Sequence, residues 1–196
     1  MTLVHCERCG TTLQASAHPH VRGCPRCLAE GEYPVLPLTE GPPAEGAHPD
    51  LDVVLRAFRL LERGDRERML ELFAEDFSGR MISTGEVVEG PGGAPEFMRR
   101  ANAGQNELEA TAFRFERNGH GQVAVFGRLR MRGPDGMVDS PAAWIYSVAD
   151  GRITEAQSYT SMARAQRALR TFAAHGGEPA DPAETTPVSG EVYDRQ

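Results

Sequence analysis

Four cysteines carry the clearest chemical signal in the sequence. Cys6 and Cys9 form one Cys-x-x-Cys pair, and Cys24 and Cys27 form a second pair after fourteen intervening residues. Each tight pair directs two sulfurs to one point, and a structural zinc ion takes four such ligands at about 2.3 Å. The spacing therefore predicts one zinc ion per chain, held by these four residues.

Two other uses of the cysteines fit the sequence less well. Two disulfides would suit a secreted chain, but MTLVHCERCG has no basic start followed by an apolar stretch. A redox pair would open a helix in a βαβ unit, and no such pattern follows. His5, His18 and His20 lie nearby, but four cysteines already complete the coordination.

The ribbon around the cysteines has few apolar residues, so metal binding is expected to supply most of its folding energy. Four thiolates around one divalent cation leave a formal charge of −2, which Arg8 and Arg26 can partly offset. We expect the ribbon to serve as a small interaction or packing module.

Composition limits the classes of partner. The chain has 196 residues and a net charge of −7. This charge argues against nucleic acid and anionic membranes as partners. No apolar run approaches the roughly 20 residues that span a bilayer. These features predict a cytoplasmic protein.

Shifts in composition divide the chain into four segments. We predict a zinc ribbon at residues 1–29, a proline- and glycine-rich linker at 30–49, an α+β domain at 50–173 and a disordered acidic tail at 174–196. Because the linker lacks an apolar face, the α+β domain is expected to fold without the ribbon.

The α+β domain shows helical periods first and strand periods later. Asp50 and Asp65 are predicted to cap two helices, a short strand is expected at 80–84, and Pro95 opens a third helix. From Glu107 the period becomes two, which predicts three antiparallel strands up to Tyr159. Ser161 is predicted to cap a closing helix.

Two stretches resemble the SnoaL-like branch of the nuclear-transport-factor-two-like superfamily. They are AAWIYSVADGRITEAQSYTSMARAQRAL, with its aromatic strand and Asp-Gly turn, and the glycine turn and helix from Val88 to Phe97. The resemblance covers about residues 50–172. It implies a cone-shaped curved antiparallel sheet that wraps three to four helices around an apolar pocket. It also implies a homodimer formed through the outer sheet face.

The family's acid positions are altered here. Related cyclases place an acid on the strand before the Asp-Gly turn, where this chain has Trp144, and many members have an aspartate where it has Ser161. Tryptophan can donate one hydrogen bond but cannot act as a base. The resemblance predicts a pocket lined by five residues: Met131, Trp144, Tyr146, Gln157 and Tyr159. Asp139 and Glu155 are the remaining candidate catalytic acids.

Two hypotheses follow. The first is a non-catalytic cone that binds a small apolar molecule or a protein partner, with the zinc ribbon as an attached module. The alternative is a SnoaL-like cyclase, isomerase or hydratase that uses Asp139 or Glu155 on a small apolar substrate. Because the ribbon has no obvious use in a small-molecule cyclase, we favour the first hypothesis. Arg128, Arg130 and Arg132 are expected on the outer sheet face, and the arginines of the last helix in solvent.

Overall fold

The computed structural model describes residues 2–18, 21, 23–29, 38–81, 85–101, 107–133 and 136–174. These residues form nine strands and five α-helices. In chain order they are β1 (Leu3–His5), β2 (Thr12–Gln14), α1 (Pro25–Ala29), β3 (Thr39–Glu40), α2 (Pro49–Glu62), α3 (Arg66–Leu70), β4 (Phe73–Arg80), β5 (Val87–Glu89), α4 (Gly93–Ala101), β6 (Glu107–Arg117), β7 (Gln122–Gly133), β8 (Gly136–Ala149), β9 (Arg152–Tyr159) and α5 (Met162–Ala174).

All nine strands belong to one sheet, in the order β3-β1-β2-β6-β7-β8-β9-β4-β5. The predicted α+β class is confirmed. The sheet is mixed, because β4 pairs with β9 in parallel while the other described pairs are antiparallel. The structure differs from the predicted antiparallel sheet at this one pair.

One face of the sheet, called the inner face below, packs on α2, α3 and α4. Leu51, Val54 and Phe58 recur on one side of α2 and join a core cluster with Val125 and Trp144. Phe77 of β4 joins Ala94 and Phe97 of α4 in a second inner cluster. Three helices on this face agree with the predicted cone.

The helix starts differ in part from the prediction. Asp65 caps α3 by accepting a hydrogen bond from the backbone N–H of Arg68 at 3.3 Å. Asp50 was predicted to cap α2, but the cap position belongs to His48 and Pro49 is the first helical residue. Proline suits that position because the first-turn N–H has no partner within the helix. Asp50 instead lies in the first turn with a buried carboxylate.

The strand that the sequence placed at 80–84 lies earlier in the structure. β4 covers Phe73–Arg80 and begins soon after the short helix α3, whereas residues 82–84 lie outside the described part. Phe73 and Phe77 both face the inner core and touch edge to face, with centroids 5.0 Å apart. Residues four positions apart share one face of a strand, and the register of β4 against β9 shifts between Phe73 and Ser78.

A bulge and a glycine shape the centre of the sheet. The register between β6 and β7 shifts between Ala112 and Arg114. On β7, a Cβ at Gly127 would lie 1.9 Å from the backbone oxygen of Thr111, so no other residue fits there without moving β6. Bulges bend and twist strands. This one lies between β6 and β7, two of the strands that contact α2.

Helix α5 packs on the opposite, outer face. Its Ala165 and Leu169 are buried against Ala124, Phe126 and Ala143. Arg164, Arg167 and Arg170 are exposed, as predicted for the solvated side of this helix. A homodimer through the outer face would have to use the area beyond α5, where Arg128, Arg130 and Arg132 are exposed as predicted.

The ribbon extends the sheet of the cone. β2 pairs with β6 through Thr12 opposite Phe115 and Leu13 opposite Arg114. Leu3 belongs to the same core cluster as Phe58 and Phe115.

The linker also takes part in the sheet, because β3 pairs with β1 through Glu40 opposite Val4. These contacts place the ribbon and the linker in the same sheet as the α+β domain, and independent folding of that domain remains a prediction. The four segments remain a prediction as folding units. Most of the predicted tail, residues 175–196, lies outside the described residues, as does linker segment 30–37. No helix among the described residues is both long and apolar enough to cross a membrane.

Candidate functional site

The four cysteine sulfurs lie together as a metal would require. Sγ of Cys6 is 3.9 Å from Sγ of Cys27, and Sγ of Cys9 is 3.5 Å from Sγ of Cys24. All four sulfurs lie within 4.8 Å of one another. A tetrahedron with about 2.3 Å from centre to sulfur has edges of about 3.8 Å, whereas a disulfide needs about 2.05 Å. The cysteines are free thiols in a metal-sized cluster.

Backbone geometry forms the two turns of the cluster. After the first pair, the Gly10 N–H donates to the Cys6 carbonyl at 2.9 Å, and Gly10 has a φ of 71°. A Cβ at Gly10 would lie 2.7 Å from the ring of His48, so glycine also permits close packing of the linker. In the second pair, the Cys27 N–H donates to Cys24 Sγ at 3.5 Å. N–H groups that point at sulfur stabilise thiolates.

The thiols cannot all ionise without a cation. The Cys24 thiol lowers the pKa of Cys9 to about 4, whereas burial raises the pKa of Cys27 to about 11. The interaction with Cys9 also raises the pKa of Cys24. A bound divalent cation would stabilise thiolates at Cys24 and Cys27, and it fits this all-sulfur donor set.

Two of the nearby histidines, His5 and His18, lie among the described residues. His5 Nδ1 lies 3.0 Å from the backbone oxygen of Gly41, which ties β1 to the linker. Burial, and secondarily the charge of Arg114, lowers the pKa of His18. His20 lies outside the described residues. Among the described residues, the metal-sized cluster comprises the four cysteines alone.

Three residues join the cysteine cluster to the cone. Arg26, between Cys24 and Cys27, donates a hydrogen bond from Nη1 to the backbone oxygen of Arg117. The Arg117 side chain places Nε 3.1 and 3.2 Å from the two carboxylate oxygens of Asp50. The second cysteine turn is thereby connected to the start of α2.

An aromatic cluster fills the inner face beside α2. The Phe58 ring lies 5.7 Å from Phe115, 5.9 Å from Trp144 and 6.0 Å from Tyr146 between centroids. Trp144 is 8% exposed, and Met131 is a partly buried neighbour of the same cluster. The structure therefore brings together three of the five predicted pocket residues: Met131, Trp144 and Tyr146.

Tyr146 supplies a polar group to this apolar interior. Burial raises its pKa above the ordinary value, so the phenol stays protonated at neutral pH and can donate a hydrogen bond. Its side chain packs against both inner clusters and keeps part of its surface accessible. Among the predicted pocket residues, Tyr146 therefore combines a hydrogen-bonding hydroxyl with a partly accessible position on the inner face.

The other two predicted pocket residues lie on the outer face. Gln157 is opposite Ile145 and Tyr159 opposite Ala143, both in the core under α5. A shared inner pocket for the five residues is therefore wrong. Alternation put Glu155, Gln157 and Tyr159 on one face of β9, and only pairing with β8 shows which face that is.

Glu155 belongs to a hydrogen-bonded chain on this outer face. Its Oε1 accepts from Gln157 Nε2 at 2.7 Å, and its Oε2 accepts from Ser147 Oγ at 3.2 Å. Tyr159 donates to Gln157 Oε1 at 2.8 Å. On the far side, Gln122 donates to Ser147 Oγ at 3.3 Å. The Glu155 carboxylate is therefore separated from the apolar interior by the sheet.

The remaining candidate positions are also outside the cone interior. Asp139 is an exposed partner of Arg128 at 2.8 Å and Arg130 at 3.5 Å, and the hydrogen bond from Arg128 lowers the pKa of its carboxyl. Ser161 accepts a hydrogen bond from the Arg164 backbone N–H at 3.4 Å, as predicted for the cap of α5.

Sequence reasoning missed two partly buried ionic pairs that involve arginines of β6. Arg117 pairs with Asp50, and Arg114 Nε lies 3.2 Å from Glu116 Oε1. Asp50 was interpreted only as a helix cap, and the β6 bulge hides the alternation that would assign its charged residues to faces. The segment FRFER, with charges between aromatic residues in a strand, is the signal that could have indicated them.

Comparisons with known proteins agree with this architecture. Residues 54–156 match the family described as the SnoaL-like domain. A comparison with curated proteins finds no match.

Several solved structures share the fold. Bal32a, from a soil-derived mobile gene cassette, is 15% identical with a TM-score of 0.53, covering 62% of this chain and 96% of its own. A protein of unknown function from Burkholderia pseudomallei, described as NTF2-like, is 16% identical with a TM-score of 0.51, covering 62% and 97%. TerC, co-crystallised with polyporic acid, is 16% identical with a TM-score of 0.50, covering 62% and 98%.

Proposed function

This chain belongs to the SnoaL-like domain family, and we propose that its cone binds a small apolar molecule without transforming it. The supporting observation is the chemistry of the inner face. Aromatic side chains surround Trp144 and Tyr146, and the described inner face places no free carboxylate beside them.

The buried acids support the non-catalytic part of the proposal. Among the described residues these acids are Asp50 and Glu116. Asp50 is neutralised by Arg117, and Glu116 lies opposite Ala124 of the outer-face core. A general base must reach the proton that it removes. Neither Asp50 nor Glu116 is placed to reach a proton of a molecule bound beside Trp144. The candidates Asp139 and Glu155 lie outside the interior.

Tyr146 defines what the bound molecule needs. An apolar body would contact the partly buried Met131 and Val148, which pack on the Phe58 cluster, and one polar acceptor would take the phenolic hydrogen bond of Tyr146. A related fold, that of TerC, was solved with polyporic acid, which makes this compound a reasonable first probe.

The experiment is a binding titration with Nile red, a neutral apolar dye, followed by displacement with polyporic acid. We expect saturable binding, weaker for polyporic acid in Tyr146→Phe and unchanged in the outer-face control Tyr159→Phe. Mass spectrometry should recover both compounds unaltered. A chemically changed compound would support the cyclase, isomerase or hydratase alternative, and absence of binding would refute the proposal.

We further propose that the four cysteines hold one structural zinc ion. The sulfur spacing and the all-thiolate donor set support zinc, which would supply folding energy and no chemistry. The ribbon would then act as a packing module for the cone, through the contacts of β2 and Arg26. A protein partner, homodimer formation through the outer face and a cytoplasmic location remain predictions.

A further inference from the structure

A cleft of about 350 Å³ lies where α1, β6 and α5 meet. Its polar lining comes from all three elements and the turn after β6: Arg26 of α1, Arg114 and Glu116 of β6, Asn118 of the turn, and Gln166 and Arg170 of α5. Since Glu116 lies opposite Ala124 of the outer-face core, the sheet separates this cleft from Trp144 and Tyr146.

The charge of the cleft opposes that of the chain. Its lining holds three guanidinium groups and one carboxylate, whereas the whole chain has a net charge of −7. A cleft lined by an excess of one charge concentrates ligands of the opposite sign. A local positive excess on an acidic protein therefore favours a small anion, while the acidic remainder disfavours polyanions such as nucleic acid.

Two of the arginines are held in place before any ligand arrives. The Arg114 guanidinium stacks 4.3 Å above the centroid of Phe126 and lies 3.2 Å from Glu116 Oε1. Arg26 is fixed by its hydrogen bond to the Arg117 backbone oxygen. Preorganised guanidinium groups lose little side-chain entropy on binding, and they match the planar oxygens of carboxylate and phosphate.

The rest of the lining is apolar. It consists of Pro25 and Ala29 of α1 and Leu169 of α5. A bare inorganic ion would leave this surface unfilled, whereas a compact hydrocarbon body would cover it. We propose that the cleft is a binding site for a small organic anion, whose carboxylate or phosphate contacts Arg26, Arg114 and Arg170.

The test is an NMR titration of the full chain, purified with its metal, at low ionic strength. Benzoate and phenyl phosphate share one apolar body and differ in the charged group, and benzamide is the neutral control. We expect at least one anion to shift the Nε–Hε signals of the cleft arginines, with affinity that falls as salt is added. The preferred anion identifies the ligand as a carboxylate or a phosphate.

Matched variants locate the site. Arg26→Gln and Arg170→Gln should each lower anion affinity roughly tenfold, as expected for loss of a charge-assisted hydrogen bond. Arg167→Gln, on the same helix but outside the cleft lining, and Tyr146→Phe, in the cone, should keep wild-type affinity. Circular dichroism checks that each variant folds. The proposal fails if neither anion binds, if benzamide binds equally well, or if both cleft variants keep full affinity.

Discussion

Arg26 donates a hydrogen bond from its guanidinium to the backbone oxygen of Arg117, 91 positions along the chain. Arg26 lies between two cysteines of the cluster. Arg117 is the last residue of β6 and forms an ion pair with Asp50 of α2. The cysteine cluster and the cone are thereby joined by direct contacts. The stability of the cone should therefore depend on the cysteine cluster.

We expect about one zinc ion per purified chain, coordinated by four sulfurs. In the double variant Cys24→Ser, Cys27→Ser the metal should be lost, because only two thiolates remain. Elemental analysis and X-ray absorption spectroscopy measure content and ligands. His120→Ala, in an exposed turn, is the control and should keep its metal. Undiminished zinc in the double variant would refute the assignment.

Deleting residues 1–45 should destabilise the cone. The deletion removes Leu3 from the core and leaves the Arg114–Phe115 part of β6 paired with β7 alone. We expect a lower melting temperature and a less cooperative transition than in the full chain, with the double cysteine variant in between. A truncated protein as stable as the full chain would show that the ribbon contacts contribute nothing.

Trp144→Ala should lower the free energy of unfolding by about 3–5 kcal/mol, because the indole fills the interior beside Phe58. Trp144→Asp should cost at least as much, since an unpaired carboxylate would enter an apolar core. Val138→Ala, at a position that is 53% exposed, is the control and should change stability little. Urea denaturation measures all three, and mild effects at Trp144 would contradict its place in the core.

Arg117→Met should cost about 3 kcal/mol, because it leaves the buried Asp50 carboxylate without its cation. Adding Asp50→Asn should recover part of this loss, since the stranded charge is then removed. A double-mutant cycle measured by urea denaturation gives the interaction energy. Strictly additive losses would mean that the pair makes no energetic contribution.

Tyr159 should make the protein sensitive to alkali. Burial, followed by the charge of Glu155, raises the pKa of Tyr159 from 10.0 to about 12. Because the phenol ionises more easily in the unfolded chain, its ionisation favours unfolding. The stability that the neutral Tyr159 phenol contributes is therefore fully present below pH 10 and is lost as the pH rises toward 12. Tyr159→Phe should lose less stability over that interval in pH-dependent denaturation. Parallel curves for the two proteins would contradict the shift.

The cysteine cluster and the family fold could be predicted because their signals are local. Two Cys-x-x-Cys pairs specify their geometry within a few residues, and the aromatic strand with its Asp-Gly turn identifies the family. The face of β9 could not be predicted, because alternation groups Glu155 with Tyr159 without saying which side meets α5. The pairing of the ribbon with the cone could not be predicted either, because β2 and β6 are separated by a long stretch of sequence.

The pairing of β2 with β6 has a consequence for the order of events during synthesis. All four cysteines have been translated by residue 27, whereas β6 begins at Glu107. A ribbon that binds its metal can fold on the ribosome from local contacts, but its docking partner emerges many seconds later. The edge of β2 in the ribbon therefore stays unpaired until β6 has been synthesised. Only then can the two strands pair and complete the sheet.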